Sequence, residues 1–188
     1  MLLFVSSNMH KFQEIQGILQ EYNIPISFHQ QEMPELQSDS LEEIAKFRAQ
    51  HAFALLRKPL FVEDAGLFIQ SLNGFPGPYS SYVFKTIGNS GILRLLHGTS
   101  DRAAIFKTAL ALMLSETELF TFIGEIPGVI ASSEQGKGGW GYDPVFIPLK
   151  GKGRTYGQMS LEEKNQVSHR RQSLQKLAEW LSTHPSFI

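Results

Sequence analysis

The sequence of 188 residues contains no cysteine. This absence excludes disulfides, CxxC redox motifs and zinc sites with thiolate ligands. Neither sign of charge is in excess, because 17 lysines and arginines stand against 18 aspartates and glutamates, for a formal net charge of -1. A balanced charge argues against a broad nucleic-acid-binding surface. We therefore expect no nucleic-acid partner.

Long hydrophobic runs are also missing. No stretch approaches the roughly 20 apolar residues that a membrane span needs. The N-terminal segment MLLFVSSNMHK lacks the basic leader and the long apolar core of a signal peptide. The six histidines show no HxxxH or HExxH pairing, and neither GxSxG nor GxxxxGK[ST] occurs, which argues against zinc hydrolases, serine hydrolases and P-loop enzymes. We predict a soluble cytoplasmic protein with no membrane partner.

Hydrophobic periodicity and capping residues predict a mixture of strands and helices. The two do not alternate strictly, which favours an α/β fold with a mixed sheet in a single domain over residues 1–188. The run at 102–114 is apolar on both faces, which indicates a central position in the sheet. We expect strands at 2–6, 24–28, 59–64, 102–114 and 118–131, loops at 73–81 and over most of 132–159, and helices after Asn8, from Ser40 to about Leu56, at 90–96, after Ser160 and over the C-terminal segment.

Two adjacent carboxylates, Glu63 and Asp64, end an apolar run in the segment FVEDAGL. Like charges side by side cost free energy unless a cation, a proton or water compensates them. In a pocket that also holds Glu35, they would bind Mg²⁺ and position a water, or one carboxylate would act as a general base. The alternative is a solvated strand end.

The segment SSNMHK lies where the first predicted strand passes into a helix. Free backbone N–H groups at the helix start, with Ser7, Asn8 and Lys11, favour an anion such as phosphate. The alternative is that Asn8 only caps the helix and that Lys11 and Glu14 form an exposed i, i+3 pair.

The segment QGKGGWGYDP contains a formal GxGxxG pattern. The dinucleotide-binding fingerprint needs a helix directly after it, whereas Pro144 disfavours a helix at Asp143. This excludes the Rossmann interpretation. The remaining interpretation is a glycine loop that presents Trp140 and Tyr142 for stacking on a flat base, and its alternative is a tight turn with both aromatics in the core.

The segment EEKNQVSHRR gathers four basic side chains within eight residues, Lys164 to Arg171. If Ser168 caps the last helix, His169 and Arg170 lie in its first turn, where cations oppose the helix dipole. Their N–H donors would suit a carbonyl group on a base or phosphate oxygens. The alternative is a solvated basic face.

These segments together resemble the inosine triphosphate pyrophosphatase family, also described as non-canonical purine NTP pyrophosphatases. The resemblance runs nearly from end to end, with five motifs in order. Where Asp-Asp-Ser is common in the family, this sequence has Glu-Asp-Ala at 63–65. The motifs are SSNMHKFQE (6–14), FVEDAGL (61–67), NGFPGPYSS (73–81), GGWGYDP (138–144) and EEKNQVSHR (162–170).

The resemblance implies hydrolysis of ITP, dITP and XTP to the nucleoside monophosphate and pyrophosphate, with Mg²⁺ as cofactor. This reaction removes deaminated purines from the nucleotide pool. It also implies an elongated mixed β-sheet flanked by helices, with two lobes around a central nucleotide-binding cleft, and a homodimer.

Residue roles follow from the same resemblance, position by position. Asp64 is implied as the base for the attacking water and, with Glu35, as a metal ligand. His169 and Arg170 are implied at the 6-oxo edge of the purine. The substrate-contacting set is Ser7, Asn8, Lys11, Ala65, Trp140, Gly141, Tyr142, Asp143, Lys164, His169 and Arg170.

Two other functions remain open from the sequence. A pyrophosphatase of similar fold acting on modified pyrimidine nucleotides would share the carboxylates and the phosphate-binding helix start. A nucleotide sensor without catalysis would bind the same ligands and release no product.

Overall fold

A computed structural model describes residues 1–34 and 36–184 of the chain. Its strands are β1 (Leu2–Ser6), β2 (Ile26–Gln30), β3 (Leu60–Ile69), β4 (Pro76–Gly77), β5 (Ala103–Met113), β6 (Leu119–Ile130) and β7 (Phe146–Pro148). Its α-helices are α1 (Met9–Gln20), α2 (Leu41–Leu56), α3 (Ser80–Thr86), α4 (Gly88–Leu95), α5 (Leu161–Gln166) and α6 (His169–Ser182). The mixed α/β fold predicted from the sequence is confirmed.

The strands form a seven-stranded sheet in the order β2-β1-β3-β5-β6-β7, with β4 paired to β3. β1 runs parallel to both β2 and β3, whereas β4 is antiparallel to β3 and β7 is antiparallel to β6. The predicted central position of β5 is confirmed, since it lies between β3 and β6.

Capping residues explain where three helices begin. Asn8 caps α1, and its side chain accepts hydrogen bonds from the backbone N–H groups of His10 and Lys11. Ser40 caps α2, and Ser160 caps α5 in a reciprocal capping box with Glu163. These local signals made the three helix starts predictable.

The prediction that β3 ends at Glu63–Asp64 is wrong, because the strand continues to Ile69. Its second half pairs with β4, with Leu67 opposite Gly77. A Cβ at Gly66 would lie 2.3 Å from the carbonyl oxygen of Gly77, so only glycine permits this approach.

The predicted loop at 73–81 contains β4 and the first residues of α3. The hydroxyl of Ser80 donates to the carbonyl oxygen of Gly77 at 2.7 Å and accepts from the backbone N–H of Leu67 at 2.8 Å. This buried side chain therefore fixes the segment against β3.

The chain divides into two compact units, each with its own hydrophobic core. The first unit comprises Met1–Asp64, Thr108–Gly124 and the chain from Arg170 onward, and the second comprises Ala65–Lys107 and Glu125–His169. The single-domain assignment of residues 1–188 stays a prediction. Among the described residues, no helix has the length and apolar character required to cross a membrane.

Candidate active site

In the first unit, Glu63 is the centre of a group of buried charges. The Nζ atom of Lys11 lies 2.7 Å from its Oε2 atom and 3.1 Å from its backbone carbonyl oxygen. Lys11 reaches it because α1 follows β1 directly, and β1 pairs in parallel with β3. The lysine predicted to meet phosphate therefore neutralises a carboxylate in this structure.

Arg170 is the second cation at Glu63. Its Nε atom lies 3.3 Å from Oε1 of Glu63, and its Nη1 atom lies 2.8 Å from Oε2 of Glu14. All three side chains are almost completely buried. The exposed Lys11–Glu14 pair considered from the sequence is therefore wrong, since Glu14 is buried against Arg170.

The pKa of Glu63 reflects a competition between burial and its partners. Burial alone would raise the pKa, but Arg170, Lys11 and the hydroxyl of Thr108 together lower it well below its ordinary value. Thr108 donates to the Glu63 carboxylate, and its hydroxyl lies 3.0 Å from the carbonyl oxygen of Asp64. Glu63 therefore stays ionised at neutral pH, held by two cations and a hydroxyl.

Asp64 has a different partner. Its Oδ1 atom accepts a hydrogen bond from Nη1 of Arg48 on α2 at 2.8 Å. The side chain of Asp64 is 12% exposed, against 1% for Glu63. The two adjacent carboxylates thus contact different cations, and Asp64 is the more accessible of the two.

The sequence did not identify Arg48 as a site residue. It lies 16 residues before Asp64, on a helix whose other charges are mostly solvated, and no motif marks it. Helical spacing from Ser40 gives its position on α2 but not its partner. Arg48 adds a third cation to this group of the described residues, in which Lys11, Arg48 and Arg170 contact Glu14, Glu63 and Asp64.

The structure allows a test of whether Mg²⁺ suits this region. Among the described residues, no group of three or more metal-ligating side chains occurs. Mg²⁺ commonly binds through one or two carboxylates together with substrate phosphates and waters. The partly accessible carboxylate of Asp64 fits that mode, whereas the enclosed carboxylate of Glu63 does not. Glu35, the other predicted ligand, lies outside the described residues.

In the second unit, Asp143 organises the glycine loop. Its Oδ2 atom accepts from the backbone N–H of Trp140 at 2.8 Å and from Nζ of Lys164 at 2.6 Å. Gly139 has φ +71°, and a Cβ there would lie 2.1 Å from Oδ2 of Asp143, so the turn requires glycine. Three predicted substrate contacts, Trp140, Asp143 and Lys164, are therefore joined directly.

Tyr142 lies in the core of the second unit. Its hydroxyl donates to the carbonyl oxygen of Ser80 at 2.8 Å, and its ring meets Phe84 edge-on at 5.4 Å. Burial raises the pKa of this phenol, so it stays a neutral donor. Asn89, which the sequence did not single out, donates to the carbonyl oxygen of the preceding loop residue, Gly141, at 3.1 Å.

The remaining predicted site residues have varied surroundings. Ser7 is exposed, Asn8 and Ala65 are half-buried, and Trp140 is half-buried beside the buried Lys164, whose Nζ lies 5.6 Å from the centre of the indole ring. His169 is buried at the start of α6. The predicted position of this histidine in the first turn of the last helix is confirmed.

Known proteins similar to this chain cover nearly its whole length. The Ham1 family model matches residues 2–180. The dITP/XTP pyrophosphatase of Methanopyrus kandleri is 48% identical over 179 residues, which covers 95% of each chain. The dITP/XTP pyrophosphatase of Saccharolobus solfataricus is 45% identical over 180 residues, covering 96% of this chain and 93% of that protein.

Solved structures show the same arrangement of the backbone. A HAM1 protein from Coxiella burnetii matches with a TM-score of 0.83 and 32% identity, covering 97% of this chain and 100% of that chain. The Ham1 protein of Staphylococcus aureus matches with a TM-score of 0.81 and 29% identity, covering 97% and 99% respectively.

Proposed function

This chain belongs to the Ham1 family, and we propose that it hydrolyses the non-canonical purine nucleoside triphosphates ITP, dITP and XTP to the monophosphate and pyrophosphate. It is a hydrolase of the nucleoside triphosphate pyrophosphatase class. The observation that carries the proposal is the pair Glu63–Asp64, in which Glu63 is enclosed between two cations and Asp64, paired with Arg48, is the more accessible carboxylate.

In the first unit, Asp64 acts as the general base for the attacking water. Arg48 orients its carboxylate at 2.8 Å, and the enclosed Glu63 fixes the strand beside it. Lys11 and Asn8 at the start of α1 bind the triphosphate, together with Ser7, and Ala65 of the second unit is a further substrate contact. Lys11 then shares its charge between the phosphates and Glu63, which accepts a bond from it in the structure.

Mg²⁺ is part of the proposal, with Asp64 and Glu35 as its protein ligands. When bound, the ion neutralises the charge that develops on the phosphate oxygens. Asp64 contributes through an accessible carboxylate at the middle of a rigid strand, which suits a ligand that must hold a fixed direction.

In the second unit, base recognition is assigned to the loop and to the start of α6. Trp140 stacks on the base, and Gly141, Tyr142 and Asp143 shape the loop that carries it. Lys164 holds this loop through Asp143 and contributes charge beside the indole ring.

Selectivity follows from the hydrogen-bonding character of the purine edge. A 6-oxo group accepts hydrogen bonds, whereas the 6-amino group of adenine donates them. N–H donors from His169 and Arg170 at that edge therefore favour ITP and XTP over ATP. A donor that is left unpaired by ATP adds to the discrimination, because an unmatched buried polar group is costly.

The proposed biological role is removal of deaminated purine nucleotides from the pool before polymerases incorporate them. We place this role in the cytoplasm and assign the active form as a homodimer.

The test is a substrate panel with product analysis. The protein is incubated with Mg²⁺ and, separately, ITP, XTP, dITP, GTP, ATP, dUTP and dTTP, and monophosphate, diphosphate, pyrophosphate and phosphate are resolved. We expect monophosphate and pyrophosphate from ITP, dITP and XTP, with little product from GTP or ATP. Turnover mainly of pyrimidine nucleotides would move the chain to that enzyme class, and binding without product would make it a sensor.

Repeating the reaction in water labelled with ¹⁸O identifies which phosphorus is attacked. Attack at the α-phosphorus places the label in the monophosphate, and attack at the β-phosphorus places it in pyrophosphate. Mass spectrometry of the two products therefore identifies the phosphorus that Asp64 directs the water towards.

A further inference from the structure

The ring of His169 lies flat against the ring of Phe106. Their centroids are 4.6 Å apart and their planes differ by 8°. His169 is 1% exposed and Phe106 is 9% exposed. Because the N–H donors of an imidazole lie in the ring plane, the neighbour that fixes this plane also fixes the directions in which His169 donates.

Phe106 is itself held by two other rings. Phe146 meets it edge-on at 4.9 Å and 82°, and Tyr156 lies 6.2 Å away at 42°. Phe146 and Tyr156 also contact each other at 5.3 Å, and both are fully buried. These three residues, Phe106, Phe146 and Tyr156, form an aromatic cluster, and its interlocked rings leave Phe106 little freedom to turn.

The aromatic cluster also fixes the backbone before His169. The hydroxyl of Tyr156 donates to the carbonyl oxygen of Val167 at 3.0 Å, two residues before the histidine. The Nζ atom of Lys164 lies 5.5 Å from the centre of the Tyr156 ring. The cluster therefore contacts the backbone before His169 through Tyr156 and the ring of His169 through Phe106. It also lies beside Lys164, a second residue assigned to the base site.

We propose that Phe106 is a positioning residue that sets the ring plane of His169 and thereby the preference for 6-oxopurine over 6-aminopurine triphosphates. The inference rests on the proposed function and deepens its base recognition. Hydrogen-bond recognition requires side chains held within about 10–20° of the productive direction, and a leucine at position 106 fills space without offering a flat face. Phe106 need not touch the nucleotide to act in this way.

The experiment compares kcat/KM for ITP with kcat/KM for ATP in matched variants. Phe106→Leu should lower the ITP:ATP ratio about tenfold, the loss expected when one directed hydrogen bond is misaligned. Phe106→Tyr, which keeps the aromatic face, should retain the ratio. Phe122→Leu is the control, because Phe122 has the same 9% exposure but packs in the core of the first unit beside Trp180.

The ratio separates positioning from loss of folded protein. A smaller folded fraction lowers the apparent kcat for both substrates equally and leaves their ratio unchanged. If Phe106→Leu is not recovered folded, Phe106→Met serves in its place, since methionine also lacks a ring. His169→Ala shows how far the ITP:ATP ratio falls when the imidazole is lost altogether. The fall in the Phe106 variants should not exceed that value.

Separate results would contradict the positioning role of Phe106 and the proposed base recognition. If the wild-type protein prefers ITP but the ratio in Phe106→Leu or Phe106→Met equals that in Phe122→Leu, the positioning role is wrong and the proposed function stands. If the wild-type protein shows no preference for ITP over ATP, the proposed base recognition fails, and the role of Phe106 fails with it.

Discussion

The two compact units support their site residues by different means. The first surrounds Glu63 and Asp64 with cations that match each carboxylate. The second holds the ring of His169 against Phe106, and it contains one buried ion pair, between Lys164 and Asp143. A buried charge requires a partner of opposite sign, whereas a ring requires only shape and volume. Substitutions at Glu63 or Asp64 should therefore act through unpaired charge, and those beside His169 through lost alignment.

Substitution of Asp64 is expected to have the largest effect, and this effect is on turnover. Asp64→Asn keeps the size of the side chain and an oxygen that can accept from Arg48, but it removes the basic carboxylate. We expect turnover of ITP to fall about a thousandfold, within the range for loss of a general base. Pyrophosphate release measures the loss, and circular dichroism checks that the fold is intact.

Asp101→Asn is the matched control for that change. Asp101 is exposed, and its Oδ1 atom accepts from the backbone N–H of Ala103, which an asparagine oxygen also permits. Its turnover should equal that of the wild type. Near-normal turnover in Asp64→Asn would remove Asp64 from the catalytic role.

The next effect concerns stability in the first unit. Glu63→Gln removes the carboxylate that pairs with Lys11 and Arg170, and breaking a buried pair in this way costs about 3–5 kcal/mol of unfolding free energy. Glu116→Gln removes the exposed pair with Arg57 and should cost below about 1 kcal/mol. Urea unfolding of both variants measures the difference, and equal losses would contradict the charge-matching interpretation.

The pH dependence of stability gives an independent test at Glu63. Its pKa in the folded protein is lower than its ordinary value of 4.5. The stabilisation is therefore fully present above that value and declines as the pH falls below it. The unfolding free energy of Glu63→Gln should decline less steeply between about pH 4.5 and pH 3 than that of the wild type.

Substitution of the tryptophans, of which each unit has one, is expected to have a smaller effect, on KM for ITP. Trp140→Leu should raise KM for ITP about tenfold, because stacking of a base on an aromatic side chain contributes about 1–3 kcal/mol. Trp180→Leu removes an indole that stacks on His184 and packs at a tilt against Phe120 in the first unit, and it should leave KM unchanged. Steady-state kinetics distinguish them, and a parallel rise in both variants would remove Trp140 from base stacking.

The smallest effect is expected at Tyr142. Tyr142→Phe keeps the ring beside Phe84 and removes one hydrogen bond to Ser80, at a cost of about 1 kcal/mol in stability. KM for ITP should stay within about twofold of the wild type, as expected if the phenol fixes the loop but does not touch the base. A large rise in KM without loss of stability would place the hydroxyl in contact with substrate.

Local signals explain what the sequence predicted well. Asn8, Ser40 and Ser160 accept hydrogen bonds from backbone N–H groups within three residues, so a short window contains all the information needed to place the helix starts. The site motifs were likewise read as continuous segments, and 162–170 correctly placed His169 at a helix start.

Contacts between distant segments explain what the sequence did not predict. β3 was ended too early because its continuation depends on pairing with β4. Arg48 and Phe106 were missed because each contacts a residue outside its own segment, Asp64 and His169 respectively. A basic residue on a helix and a phenylalanine in an apolar strand look ordinary until those partners are placed.

The contact between Gly66 and Gly77 has a consequence for mutational scanning. Any side chain at Gly66 meets the carbonyl oxygen of Gly77, and Gly77 itself has φ +54°. Both positions should therefore reject almost every amino acid, although neither has a side chain that could contribute to chemistry. A scan scored only on survival would rank them with Asp64, whereas a parallel score of protein abundance would separate positions required for folding from those required for turnover.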